Sequence, residues 1–385
     1  MKIARALGSL KPSYGKQILS AANSEGMISL AGGLPDEQSF PLHLIQAIMQ
    51  KVTQDPCVFQ YGTTEGYAPL LQFLHKYYDI QEHEVFICSG SQQGLDLIAR
   101  CFIEPGETVV IEEPSYMGAI QVFELAQANI LTVPQESDGP NLTDLEVCLA
   151  NHSVKIFYAV PDFHNPTGVC WSLAKRKAVA HLCEQYNVTL VEDIPYSTLN
   201  FVNPAQPTVS SFCYSRSLVI RSFSKMATPG IRVGAVSGPS QWIQPLITLK
   251  QSADVHTSTP MQAMLFHLLQ HEDFVQHLNN VRRLYADRYQ VMRDAIFEFM
   301  PDSCFFKPVT GGMFIWLEFN NPSLNIEAIA RESITNNVAV VPSTQFYPSR
   351  YDKVIPALRL NFTHTSTELL REGIYRLSKV IHQFS

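Results

Sequence analysis

The chain has 385 residues, 46% of them hydrophobic and 16% charged, with a formal net charge of −7. That length suits one large or two ordinary domains with a substantial core. A charged share below the usual ~25% predicts that some surface is buried against another subunit. The acidic balance, with no basic tail or Arg/Lys block, argues against nucleic-acid binding as the main role, and no apolar run approaches the roughly 20 residues that span a bilayer. Met1-Lys2-Ile3-Ala4-Arg5 lacks the apolar core of a secretory signal. The eight cysteines form no CxxC pair and read as reduced thiols of a cytoplasmic protein. Neither an HExxH nor a paired spacing occurs among the twelve histidines, so no metal site is expected.

Residues 1–30 read as an arm, with Ser13 capping a short helix that contains Lys16. Gly32-Gly33 then gives a turn or a place of close backbone approach. A helix is predicted over 42–52. Gln60-Tyr61-Gly62-Thr63-Thr64-Glu65-Gly66-Tyr67 reads as a loop with exposed tyrosines. From residue 84 short apolar strands alternate with amphipathic helices, which predicts an α/β fold with a mainly parallel sheet covered on both faces.

The strand Val85–Cys88 ends in Ser89-Gly90-Ser91-Gln92-Gln93-Gly94, a turn opening a helix over 95–102. Free N–H groups and a positive dipole end make such a turn a natural phosphate seat. It has neither GxGxxG nor a P-loop lysine. Thr108–Ile111 leads to Glu113-Pro114-Ser115-Tyr116, 156–160 to Asn165-Pro166-Thr167-Gly168, and 188–191 to Asp193-Ile194-Pro195-Tyr196. Polar and aromatic groups therefore collect at the C-terminal ends of strands, where open α/β sheets bind ligands.

The next strand, 218–220, runs into Ser222-Phe223-Ser224-Lys225, and Arg232 follows a Pro-Gly turn. A lysine that can hold a carbonyl as an imine, beside hydroxyls and an arginine suited to a phosphate dianion, points to pyridoxal phosphate (PLP). Taken locally, the same residues also fit a strand, a turn and two surface cations. Helices are predicted over 261–269 and 274–299. A smaller α+β unit then has strands at 311–317, 338–341 and 357–362 and helices at 326–336 and 367–384. The division expected is an arm at 1–40 that belongs with the small domain, a large domain at 41–285 and a small domain at 286–385.

Ala31-Gly-Gly-Leu-Pro35, the 60–67 loop, Ser89–Gly94, Glu113–Tyr116, Asn165–Gly168, Asp193–Tyr196, Ser222–Lys225, Gly311-Gly-Met-Phe314 and Leu358-Arg-Leu360 occur in one order over nearly the whole chain. In this the chain resembles fold-type I, PLP-dependent class I/II aminotransferases, in particular the 2-aminoadipate and kynurenine aminotransferase subgroup. The resemblance implies a PLP-dependent transferase fold in which Lys225 holds the cofactor aldehyde as an imine and, once released, moves the proton between substrate Cα and C4′. It implies that Asp193 pairs with the pyridine nitrogen and keeps it protonated, whereas an isolated aspartate there would read as a helix N-cap. Tyr196 and Asn165 would donate to the ring's phenolate oxygen and Tyr116 would stack on the ring. An Asn-Pro alone is usually a turn, and an isolated tyrosine a half-buried core residue.

Ser91, Gln92, Ser222, Ser224 and Arg232 would surround the phosphate, with Tyr61 reaching in from the other subunit of a homodimer. Arg359 would clamp the substrate α-carboxylate, with Gly33, Asn165, Tyr61 and Lys16 also facing substrate, while Arg331 and Arg350 read as surface cations. Related enzymes often carry an arginine where this chain has Lys16. A lysine there fits a distal carboxylate as a point charge, and equally fits a solvated arm.

The activity implied is amino transfer from an L-amino acid with a 2-aminoadipate-like, aromatic or other long side chain to a 2-oxo acid such as 2-oxoglutarate. It would run by a ping-pong cycle through a pyridoxamine form, with Tyr14, Phe314 and Phe346 as candidate pocket aromatics. The alternatives are a PLP-dependent lyase on the same scaffold and a PLP-sensing regulator. The match beginning near Ser13 leaves no room for the winged-helix domain a regulator usually carries.

Overall fold

A computed structural model of the chain describes residues 26–80, 84–202, 205–351 and 353–384, together with Met1, Ile3, Ala4, Ala6 and Leu7. At its centre lies an eight-stranded sheet. From edge to edge its strands are Val85–Cys88, Gly234–Ser237, Ser217–Ser222, Thr189–Asp193, Val154–Ala159, Thr108–Glu113, Asn129–Glu136 and Gly139–Pro140. All but Gly234–Ser237 and Gly139–Pro140 run in one direction, so the sheet is mainly parallel, as the strand–helix alternation predicts. Strands such as Val85-Phe86-Ile87-Cys88 are buried at every position, which is why they read as unbroken apolar runs rather than alternating ones.

Helices cover the sheet with apolar stripes. Leu42–Val52 forms the helix expected there and buries Leu44, Ile48 and Val52 at four-residue steps. The helix after Val85–Cys88 starts at Ser91, four residues earlier than the sequence suggests. Ser91 to Gly94 are thus its first turn rather than a separate loop, and Gly90, at φ 86, makes the corner. The strand Gly234–Ser237 escapes sequence reasoning because it is four small residues long. Its glycine is needed, since a Cβ at Gly234 would lie 2.8 Å from the Ser91 backbone nitrogen.

The second, antiparallel sheet has the order Cys304–Phe305, Phe314–Phe319, Ala357–Asn361, Val341–Pro342. The run Val338–Val341, expected as one strand, divides in two. Val338–Ala339 pairs in parallel with Ile28–Ser29, and Val341–Pro342 joins Arg359 and Leu358. Both halves are buried, so the chain bends to satisfy two sheets with one apolar run. The strand expected from Gly311 begins only at Phe314. The helices Phe274–Phe299 and Thr367–Phe384 lie where the periodicity places them and pack on each other. Residue 285 falls inside the first of these, which continues unbroken. Among the described residues no helix is long and apolar enough to cross a membrane, no cluster suits a metal ion, and all eight cysteines are free.

Candidate active site

The C-terminal ends of the parallel strands and the inner face of the small sheet enclose a cavity of about 540 Å³. Its lining includes Gly33, Ser91, Gln92, Tyr116, Asn165, Asp193, Tyr196, Ser222, Ser224, Lys225, Arg232 and Arg359. Residues from nearly the two ends of the described chain, Gly33 and Arg359, thereby meet in one space. Two sequence candidates stand apart. Tyr61 is 84% exposed, with its ring edge against His256, outside this lining. Lys16 lies outside the described residues, as does Tyr14. Arg331 and Arg350 are exposed.

Lys225 follows the strand Ser217–Ser222, and its Nζ donates to the Gly33 carbonyl at 2.7 Å. Burial, with Arg359 and Arg232 nearby, lowers its ammonium to about 8. A desolvated lysine between two guanidinium groups gives up its proton readily, as an amine nucleophile requires.

Asp193 ends its strand and no helix follows it, so it is not an N-cap. Tyr158 donates to its Oδ2 at 2.9 Å, while Oδ1 is buried without a partner among the described residues. Burial pushes this carboxyl up to about 7. A buried, unpaired carboxylate oxygen is costly and calls for a donor from the cavity side.

At the opposite end of the cavity, Arg359 comes from the middle of the small sheet, 5% exposed. Its Nη1 donates to Asn165 Oδ1 at 2.8 Å and its Nη2 to the Ala31 carbonyl. The guanidinium lies 4.4 Å from the Phe314 ring centroid and 5.1 Å from that of Phe346. The two aromatics thus grip the arginine, and neither lines the cavity itself. Asn165 Nδ2 also donates to Tyr196 at 3.4 Å, and burial raises the Tyr196 phenol well above its usual range.

The corner at Gly90 shapes a third part. A Cβ there would fall 2.3 Å from Arg232 Nη2, so the absence of a side chain lets the guanidinium reach the start of the helix. The first-turn N–H groups of a helix have no carbonyl partners within it, and Ser91 and Gln92, at the start of this helix, line the cavity together with Arg232, Ser222 and Ser224. Gln92 accepts from Tyr116 at 3.2 Å and donates to the Gly118 carbonyl at 3.1 Å, which orders the adjacent wall.

Sequence reasoning missed the supports. Asp254, 161 residues from Gln93, accepts from Gln93, Ser89 and the fully buried Lys250 and braces the Ser89–Ser91 corner from behind. Arg176 anchors the segment carrying Asn165, donating to Asp162 at 2.5 Å and to the Pro161 and Trp171 carbonyls. A charged residue inside an apolar helical stripe was the one available signal for Arg176.

These residues fit PLP. The free oxygen of Asp193 suits a protonated ring nitrogen, the helix start with Arg232 suits a phosphate, and Lys225 suits the aldehyde. Residues 25–377 match the model of the family "Aminotransferase class I and II". The chain belongs to that family. It is 34% identical to the aromatic-amino-acid aminotransferase 1 of Thermococcus litoralis, with 98% of this chain and 93% of that protein covered. It is 33% identical to the 2-aminoadipate transaminase of Thermus thermophilus, covering 98% and 96%. Its fold superposes with a TM-score of 0.93 on the crystal structure of the α-aminoadipate aminotransferase of Thermus thermophilus complexed with N-(5'-phosphopyridoxyl)-L-leucine, at 33% identity and with 99% and 97% of the two chains covered. This member of the class I and II aminotransferases is a PLP-dependent transaminase of fold type I, and its substrates are amino acids and 2-oxo acids.

Proposed function

We propose that the chain transfers the amino group of an L-amino acid with a long side chain, 2-aminoadipate-like or aromatic, to a 2-oxo acid such as 2-oxoglutarate. The observation that carries this reading is that Lys225 Nζ, the free oxygen of Asp193 and the Arg359 guanidinium open into one cavity. The names of the two relatives support the donor class. So does the remaining wall, where Leu34, Met117, Gln121 and Val341 offer a mixed apolar and polar surface beyond the reacting groups.

When bound, PLP supplies a carbonyl carbon that takes up the amino nitrogen and a ring that withdraws electrons from the substrate Cα. Arg359 binds the α-carboxylate with two parallel N–H donors, and its bond to Asn165 sets the angle at which it does so. Lys225, once its nitrogen is free, takes the Cα proton on Nζ, a role suited by its value near 8. Asp193, held by Tyr158, would offer its free oxygen to the ring nitrogen, whose proton would favour the ionised carboxylate. Tyr196 and Asn165 would orient the ring's oxygen, Tyr116 would cover its face, and Ser91, Gln92, Ser222, Ser224 and Arg232 would hold the phosphate.

We read the active unit as a homodimer. Tyr61, with most of its ring in solvent, would complete the phosphate site of the second subunit, and Gly62 N–H donates to His256 to hold that loop. The arm expected at 1–40 would belong with the small unit in this reading; its residues 8–25 lie outside the described residues, and the pairing of Ile28–Ser29 with Val338–Ala339 supports the placement of the rest. The low charged share suits a buried contact surface, and the free cysteines suit a cytoplasmic location.

A panel of amino donors, scored by pyridoxamine phosphate formation in single half-reactions, tests the proposal. Turnover of 2-aminoadipate, kynurenine-like or aromatic donors, followed by discharge with 2-oxoglutarate, is expected. Release of pyruvate or carbon dioxide without an acceptor, or no reaction with any donor of these classes, would refute it.

A further inference from the structure

Behind Asn165, outside the cavity lining, two titratable side chains face each other in the protein interior. Glu112 lies near the end of the strand Thr108–Glu113 and is 1% exposed; His164 is fully buried. Glu112 Oε1 accepts from Gln135 Nε2 at 2.8 Å and from Trp171 Nε1 at 3.0 Å. Its Oε2 accepts from the Val160 N–H at 3.4 Å and lies 3.7 Å from His164 Nε2. That last distance exceeds a hydrogen bond, and His164 Nε2 is left buried with no partner among the described residues.

The hydrogen-bond directions around the pair fix where its protons are. Thr167 has one hydroxyl proton and donates it to Gln135 Oε1 at 2.6 Å. It also accepts from Val169 N–H. At the 3.1 Å contact between Thr167 Oγ1 and His164 Nδ1, the imidazole is therefore the donor. A neutral imidazole has one N–H, so Nε2 presents a bare lone pair towards Glu112. An ionised Glu112 would set a carboxylate oxygen against that buried lone pair, and His164 Nε2 would go unsatisfied. A single proton on the carboxyl removes the conflict.

We propose that Glu112 and His164 hold one shared proton, on Glu112 Oε2 and directed at His164 Nε2, and that this neutral pair pegs the turn carrying Asn165. Burial favours the neutral forms of both, pushing Glu112 up to about 7 and His164 down to about 3. The other side chains hydrogen-bonded to the pair, Gln135, Trp171 and Thr167, carry no charge. The peg acts locally. His164 N–H donates to the Val169 carbonyl and Gly168 N–H to the His164 carbonyl, so the backbone of the turn is closed on the residue whose ring the pair immobilises. The next residue, Asn165, accepts from Arg359 Nη1 at 2.8 Å. Glu112 and His164 are thus positioning residues for Asn165 and, through it, for Arg359. The kinetic consequence rests on the assignment of Arg359 to the substrate carboxylate; the location of the proton does not.

Two measurements on the holoenzyme separate these parts. In mildly acidic buffer, the infrared difference spectrum between wild type and E112Q is expected to contain the C=O stretch of one protonated carboxylic acid. The ¹⁵N spectrum is expected to show His164, assigned through H164Q, as neutral with its proton on Nδ1. An ionised carboxylate band, or a His164 imidazolium, would overturn the shared-proton pair.

In steady-state assays E112L, which takes away the acceptor of Trp171 Nε1 and Gln135 Nε2 and the group facing His164 Nε2, is expected to raise the KM for the amino donor about tenfold with a smaller change in kcat. E112Q restores the geometry, because its amide accepts on one side and donates to Nε2 on the other. A KM for E112L equal to wild type, or E112Q as impaired as E112L, would overturn the positioning role. If E112L does not fold, the infrared and ¹⁵N spectra and the E112Q kinetics still decide the matter. Should the wild-type enzyme turn over no donor of the proposed classes, the functional reading fails while the spectra still test the pair.

Discussion

Arg359→Lys probes the substrate clamp, because it keeps the charge and removes the fork. In the wild-type site the guanidinium is held in plane by Asn165 Oδ1 at 2.8 Å, by the Ala31 carbonyl and by the faces of Phe314 and Phe346. A lysine ammonium reaches the same region as a point charge, without a second parallel donor and without a flat surface for the two rings. It cannot donate to Asn165 and Ala31 while making two bonds to a carboxylate. The substitution therefore removes at least one charge-assisted hydrogen bond to the substrate, worth about 1.5–3 kcal/mol. That corresponds to a fall of about 10- to 150-fold in kcat/KM for the amino donor. Single-turnover conversion of the cofactor absorbance, followed across donor concentrations, measures it directly. A variant within about threefold of wild type would show that the α-carboxylate is bound elsewhere.

Asp193→Asn keeps an acceptor for Tyr158 but removes the charge opposite the ring nitrogen. Its kcat is expected to fall by about 10²-fold or more while the link to Lys225 still forms, as read by absorbance and mass. The lowered Lys225 value fixes a pH profile: because the shift is downward, the neutral amine dominates above about 8 rather than above 10.5. Covalent PLP uptake by the cofactor-free protein should rise about tenfold per pH unit below that point and level off above it, and a rise continuing past pH ~10 would contradict the burial of Lys225. Mixing Tyr61→Ala with Lys225→Ala should restore activity on subunit exchange, since each hybrid dimer contains one site with both residues; mixtures no more active than Tyr61→Ala alone would place Tyr61 outside the partner's site.

Much of the site is legible in the sequence because its members lie just after apolar runs. Asp193 follows Leu190-Val191 and Lys225 follows Leu218-Val219-Ile220, and the C-terminal edge of a parallel sheet collects such residues whatever their separation. Arg359 stands out in the same way, as a cation between two leucines in a strand buried at every position. What the sequence conceals are contacts that depend on register across the fold. Glu112 meets Trp171 over 59 residues and Asp254 meets Gln93 over 161, and neither pairing leaves a local pattern. The early start of the helix at Ser91 was hidden for a different reason: Ser-Gln-Gln-Gly reads as a turn, and only the corner at Gly90 makes it a first helical turn, with Ser91 and Gln92 lining the cavity. Tyr61 shows a further limit, since one chain by itself gives that ring no site.

Borohydride reduction of the PLP-loaded protein, followed by peptide mass mapping, tests the role of Lys225 most directly. Reduction converts the carbon–nitrogen double bond to a stable secondary amine, so the lysine that holds the cofactor carries the added mass. The expected result is a single pyridoxyl-phosphate label on Lys225, absent from Lys225→Ala. A label on another lysine, or on Lys225→Ala to the same extent, would contradict it.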